Sequence, residues 1–264
     1  MSIKFEIAKK ISDFYSIRNY VLPNSQDYRI LMYHAIGSKV INDPKNIYSL
    51  DKHVFRDQMI YLSNHYSDSL KSFKPDQFTQ SNEKAVMLTF DDGYKDNIHN
   101  AAPILCEFNI PFTIFITTKF VQDKDPNFLS PSEIRQMSEI STANFGSHGY
   151  SHKSLAECSE TQLKRELEYS KKFLEDILGR RVDSIAYPNG SVNSRVINAA
   201  EDAGYILGGT SFNNRNNSNS DPLFLARTCI FSMDSMNVFK QKVRGDWDWL
   251  KYIQNPSKVS RELL

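Results

Sequence analysis

Cysteine is scarce. Cys106, Cys158 and Cys229 are the three in 264 residues, and they lie far apart. That excludes a disulfide framework or a thiolate zinc site, and they read as reduced structural thiols. An excess of one charge is also missing: 32 basic against 31 acidic side chains leave a net charge of +1. Nucleic-acid binding needs a dense basic surface that releases counterions, so no nucleic-acid partner is expected. Ten Gly and ten Pro exclude collagen-like or linker-dominated chains, and no internal repeat occurs. No run approaches the ~20 apolar residues of a membrane span. The opening MSIKFEIAKKISDFYSIRNY lacks the apolar stretch and cleavage site of a secretory signal. These absences predict a cytoplasmic protein facing a small ligand or a glycan.

What is there is a globular composition, 40% hydrophobic and 24% charged, long enough for one large domain. Residues 1–28 read as a helical extension. In it Ile3, Ile7, Ile11 and Phe14 fall at helical spacing beside Lys4, Lys9, Lys10 and Arg18. The pattern predicts a helix packed on the body of the protein, and its basic flank also suits peripheral contact with a membrane. From residue 29 to 264 short β-rich runs alternate with helical patterns: 29–36, 84–90, 111–118, 142–148, 183–188, 204–210 and 223–231, with a shorter candidate near Leu70–Phe73. Seven or eight strands with intervening helices and no break in composition predict an α/β fold, a single closed or nearly closed (β/α) barrel. The clearest helix is 160–179, with Leu163, Leu167, Phe173, Leu174, Ile177 and Leu178 on one face, charges on the other and Gly179 as terminator. The segment 211–221, SFNNRNNSNSD, reads as a loop, either mobile or draped over a polar ligand.

Three short motifs carry chemistry. Thr89-Phe90-Asp91-Asp92-Gly93 places two carboxylates at the end of an apolar strand, where barrel active sites gather. One carboxylate can bind a metal while its neighbour serves as a base; a helix cap at Asp91 or Asp92 is the plainer alternative. His148-Gly-Tyr-Ser-His152 offers two imidazoles four residues apart at another strand end, a common way to hold a divalent ion. Asp92, His148 and His152 together form a two-His-one-carboxylate set with open positions. In Ala186-Tyr187-Pro188-Asn189-Gly190 a strand breaks into a turn whose exposed N–H groups could hold a developing oxyanion, although an ordinary turn has the same composition.

The three ordered motifs resemble those of the polysaccharide deacetylases, the NodB homology domain of carbohydrate esterase family four. The likeness covers most of residues 29–250 and implies a distorted (β/α) barrel that hydrolyses an N-acetyl, less often an O-acetyl, group on a sugar with the help of a metal. By that resemblance Asp91 is the base, Asp92, His148 and His152 are the metal ligands, and Asn189 donates its backbone N–H to the oxyanion, with Tyr187 and Pro188 beside it. Zinc suits this ligand set best, and cobalt, nickel or iron(II) also fit. The third motif departs from the family pattern, with Ala186 in place of Arg and Asn189 in place of Tyr. Arg227, on the run 223–231, is the candidate replacement that would orient Asp91, with a surface or structural salt bridge as the equal alternative. The family's late Leu-x-His motif is absent, since no histidine follows His152.

The resemblance extends to a branch of poly-N-acetylglucosamine deacetylases in which an early Tyr-His supplies the acid. Tyr33-His34 matches it, which makes His34 the candidate proton donor to the departing amine. His53, His65 and His99 read as helix or surface residues. The expected partner is an acetylated sugar, an oligosaccharide, or a nucleotide- or lipid-linked glycan precursor. Trp247 and Trp249 could stack on sugar rings or close a core. Competing functions are a metal-dependent hydrolase of another ester or amide, separable by acetate release, and a catalytically silent glycan-binding barrel. Retention of both Asp91 and Asp92 weighs against the silent barrel.

Overall fold

The computed structural model describes residues 3–21, 28–40, 43–78 and 84–254. Its strands are β1 (Tyr28–Tyr33), β2 (Ala35–Ile36), β3 (Ser49–Leu50), β4 (Leu70–Lys71), β5 (Ala85–Phe90), β6 (Phe112–Ile116), β7 (Ala143–Ser147), β8 (Ser184–Ala186), β9 (Leu207–Gly209) and β10 (Thr228–Cys229). Every position of β1, β5, β6 and β7 is buried. That is what near-continuous apolar runs dictate when helices cover one face of a parallel sheet and side chains fill the other. All pairings are parallel, in the order β10-β1-β5-β6-β7-β8-β9, with β4 against the first half of β5. The sheet curls into a distorted half-barrel, one domain, ringed by helices.

The run 223–231 departs from expectation. Only Thr228–Cys229 pairs as a strand, with Leu31 and Met32 of β1, while Leu225 bridges Gly209 on the opposite edge. The chain between them crosses the seam of the barrel, so it cannot stay in one ladder. Gly208 and Gly209 allow that crossing: a Cβ on Gly209 would stand 2.9 Å from both Cδ and Nε of Arg227.

Helices follow their apolar periodicity. Lys52–Tyr66 buries Phe55, Gln58, Met59 and Leu62 and is capped by Asp51, which accepts from the N–H groups of His53 and Val54. The long helix expected over 160–179 is interrupted: α-helical turns at Glu160–Lys164 and Ser170–Leu178 flank a π-helical turn at Arg165–Tyr169, and Gly179 ends it in the left-handed conformation. Glu166, in this turn, lies on the inner face and is buried, unlike the charges that the periodicity places toward solvent.

The helix Ile3–Val21 packs on the body as expected, but through its polar side. Ser12 accepts from the Trp249 indole, Asp13 from Gln241, and Ser16 donates to Asp246, whereas Ile7, Phe14 and Ile17 are exposed. The side chains of Ile3, Lys4 and Arg18 lie outside the described residues. No described helix is long and apolar enough to cross a membrane.

The segment 211–221 is tied down rather than mobile. Asn213 donates to Trp247 O, Asn216 makes a two-way pair with the backbone of Ala226, and Arg215 bridges Asp248. Asn216 also exchanges backbone hydrogen bonds with Tyr28 at the start of β1. Residues 213–216 therefore lie at the end of the barrel opposite the strand C-termini, whereas Ser211 stands beside Gly190 of the third motif. Trp247 is buried at that same end, its N–H on Gln241. His53, His65 and His99 are surface residues.

Candidate metal-binding active site

At the C-terminal ends of β1, β5, β7 and β8 the motifs converge. β5 stops at Phe90, where Asp91 donates its N–H to Tyr33 O at 2.9 Å. The chain then turns sharply, with Asp92 at φ 71° and Gly93 at φ 81°. Positive φ costs a non-glycine residue free energy, and such strain concentrates at functional sites. The helix after the motif opens only at Asp96–Asn97, so the two carboxylates stand at the mouth of the barrel.

Asp92 Oδ1 lies 3.1 Å from His152 Nε2 and 3.5 Å from His148 Nε2. One ligand atom from each of Asp92, His148 and His152 falls within 4.8 Å of the others. His148 sits in a fixed tautomer: its Nδ1 is 2.8 Å from Ala186 O. A carbonyl only accepts, so Nδ1 carries the proton and Nε2 keeps its lone pair toward the cluster. Burial lowers the His148 pKa to about 4, against the pull of Asp91, so the ring is a neutral ligand at neutral pH. Burial pushes the Asp92 carboxyl up, but hydrogen bonding and charge from His152, with the charge of His148, outweigh it and hold the group ionised. Asp92 Oδ1 is a buried oxygen without a well-aligned hydrogen bond. A divalent cation of zinc type fits this set of two imidazole nitrogens and one carboxylate oxygen.

Asp91 is gripped differently. Arg227, buried at the seam, donates from Nη1 to Oδ1 at 2.7 Å and from Nη2 to Oδ2 at 2.8 Å. Its Nε donates to Thr210 O at 2.8 Å. Burial would raise the Asp91 pKa; the guanidinium and then His148 more than offset this and keep it below the usual carboxylate range. His34, in the gap between β1 and β2, is partly buried, with its ring 4.5 Å from that of Tyr48. Burial lowers its pKa against the opposing pull of Asp92 and Asp91. Its Nδ1 has no partner among the described residues.

Of the third motif, only Asn189 reaches the surface, in a left-handed conformation at φ 57°. Tyr187 is fully buried and donates its hydroxyl to Leu223 O, and Pro188 is buried as well. The side chain of Tyr187 therefore holds the seam rather than facing the mouth. Glu166 is the residue the sequence reading missed. Its carboxylate accepts from both the N–H and the hydroxyl of Ser151, fixing the turn that carries His148 and His152. The available signal was an acid on the same face as Leu163 and Ser170.

A family model described as polysaccharide deacetylase matches residues 79–208. The Bacillus subtilis protein YxkH, which bears that family's name, is 31% identical over 186 residues, 69% of this chain and 63% of that protein. The chain thus spans under two thirds of that relative's length. A Staphylococcus aureus poly-beta-1,6-N-acetyl-D-glucosamine N-deacetylase is 27% identical over 82% of this chain and 77% of its own. Among solved structures, the Streptococcus pyogenes deacetylase PplD in complex with acetate is similar in fold. It has a TM-score of 0.72 and 23% identity, covering 83% of this chain and 99% of that one.

Proposed function

Because the chain belongs to the polysaccharide deacetylase family, we propose that it hydrolyses the N-acetyl group of an amino sugar in a surface glycan or its lipid- or nucleotide-linked precursor. The observation that carries this reading is the convergence of Asp92, His148 and His152 within 4.8 Å, beside a second carboxylate locked by an arginine. The N-acetyl preference is supported by similarity to the staphylococcal poly-N-acetylglucosamine N-deacetylase.

The reaction breaks an amide C–N bond and forms a C–O bond, giving acetate and the free amine. A divalent ion, zinc by ligand type, held by Asp92, His148 and His152 would polarise the acetyl carbonyl and acidify the attacking water. Asp91 takes the proton from that water, since each oxygen bonded to Arg227 keeps a second lone pair. Arg227 fixes the plane and charge of the carboxylate. The Asn189 N–H has no intramolecular partner among the described residues and donates to the carbonyl oxygen as it gains charge. His34 delivers a proton to the leaving nitrogen, which departs poorly as an anion.

The test is metal content by elemental mass spectrometry, alongside acetate release from N-acetylglucosamine oligosaccharides. Wild type and Asp91→Asn should each hold one equivalent, and His148→Ala none. Turnover should fall by about 10²–10⁴-fold in Asp91→Asn, the range expected for a lost general base. Absence of metal after reconstitution, or equal metal loss in both variants, would overturn the assignment and leave the silent glycan-binding barrel.

A further inference from the structure

The strand that carries His34 into the site is paired on one edge only by another strand. On that edge Ala35 N–H donates to Tyr48 O and Gly37 N–H to Leu50 O, as β2 runs beside β3. In an extended chain His34 O, both backbone groups of Ile36 and Ser38 N–H face the other edge, and there no strand among the described residues meets them. Side chains from the start of the helix after the first motif take its place. Asp96 Oδ2 accepts from Ile36 N–H at 2.8 Å and Ser38 N–H at 3.0 Å. Asn97 Nδ2 donates to His34 O at 3.1 Å, and Asn100 Nδ2 donates to Ile36 O at 2.7 Å. Four consecutive edge groups of β2 are thus satisfied by three side chains lying 58–64 residues away in sequence.

The turn that presents them is π-helical, Asn97–Ala101, with Asp96 as its N-cap; residues 96, 97 and 100 share one side of it, and His99 is exposed. Asp96 and Asn97 are buried, and Asn97 Nδ2 also donates to Asp96 Oδ1 at 3.1 Å, which ties the two side chains together. The imidazole itself supplies little restraint: Nδ1 has no partner among the described residues, and the ring touches Tyr48. Its placement falls to the backbone on either side of it.

We propose that Asp96, Asn97 and Asn100 are positioning residues, a side-chain surrogate for a missing strand that sets where the His34 imidazole stands over the leaving group. The inference rests on the reading of His34 as proton donor. It also links the two halves of the chemistry, because the same short segment that ends β5 in Asp91 and Asp92 continues into the clamp.

A positioning role predicts a defect that depends on the leaving group. An amide nitrogen needs a proton to depart, whereas the 4-nitrophenolate of 4-nitrophenyl acetate does not. The experiment compares turnover of an N-acetylglucosamine oligosaccharide with that of 4-nitrophenyl acetate in Asp96→Ala, Asn97→Ala, Asp96→Asn and His34→Ala. Metal content and melting temperature are recorded for each. Asn100→Ala, at a half-buried position, serves if the buried variants fold poorly. Asn213→Ala, at the opposite end of the barrel, controls for lost stability.

The amide-to-ester ratio should drop by about 10²-fold in Asp96→Ala and Asn97→Ala, the cost of an ångström-scale misplacement. It should drop in His34→Ala too, recover in part in Asp96→Asn, which keeps an acceptor oxygen, and stay at the wild-type value in Asn213→Ala. A ratio lost in His34→Ala but unchanged in the Asp96, Asn97 and Asn100 variants overturns the clamp and leaves the proton donor standing. A ratio unchanged in His34→Ala overturns the proton donor and the clamp with it.

Discussion

The two ends of the barrel treat charge in opposite ways. At the floor, Arg29 is held by both oxygens of Asp248, by Thr228 and by Asn214 O, with its Nε left open among the described residues, and Arg215 adds a second guanidinium to the same carboxylate. At the mouth, Asp92 Oδ1 and His34 Nδ1 are buried without a well-aligned protein partner, and Asp92, His152 and Asn189 adopt positive φ. Buried polar atoms left open and strained backbone both cost stability, so a fold keeps them where another requirement overrides stability. The floor shows what this chain does with charges when structure alone decides. The mouth shows carboxylates and imidazoles kept ready for something outside the chain.

The largest effect expected of a single substitution on that contrast is at Arg227. Replacing it by Ala leaves Asp91 buried and uncompensated, which should cost about 3–5 kcal/mol in unfolding free energy. It should also lower acetate release at least as much as Asp91→Asn. Arg227→Lys should not restore turnover, because an ammonium cannot hold both oxygens in one plane. Full activity in either variant would show that the pair is structural and the two ends alike.

At the floor, Asp248→Asn should cost about 3 kcal/mol as a broken buried pair, with turnover per folded molecule unchanged. Burial would raise the Asp248 pKa, but Arg29 and then Arg215 outweigh it and depress it in the folded state. Its stabilisation is therefore complete above the unfolded value of roughly 3.9 and lost as pH falls through the folded value. Melting curves at neutral pH and at pH about 3 should show the gap between variant and wild type narrowing in acid. The smallest effect belongs to Glu166→Gln, which loosens the turn of His148 and His152 through Ser151. Metal affinity should fall by about 10-fold, the lower end for residues that orient ligands, and a competitive chelator titration reads it.

Much of this was legible in the chain. The buried strands β1, β5, β6 and β7 announce themselves as apolar runs, and the motifs name Asp91, Asp92, His148 and His152 because chemistry constrains residue type at each place. What was hidden depends on partners distant in sequence. Glu166 shares the inner face with Leu163 and Ser170, but its partner Ser151 lies on another element and nothing local names it. Asp96, Asn97 and Asn100 look like ordinary polar residues at a helix start, because nothing local reveals that β2 has a strand on one edge only among the described residues. The asparagines of 211–221 suggested mobility, since composition cannot tell a solvated amide from one that pairs with Ala226 or Trp247. Arg227 was nameable only by its charge and its place on a β-rich run.

The segment 222–229 joins the last edge of the sheet to the first, and on its way it delivers Arg227 to Asp91 across 136 residues of sequence. It acts as a clasp. The contact closes a long loop, and without it the carboxylate at the end of β5 would keep its burial and lose its counter-charge. A molecule whose clasp is sprung would lose the two-pronged grip of Arg227 on Asp91, the carboxylate proposed as base. Amide hydrogen exchange along Leu223–Cys229 would follow the fraction of molecules in which the clasp is open.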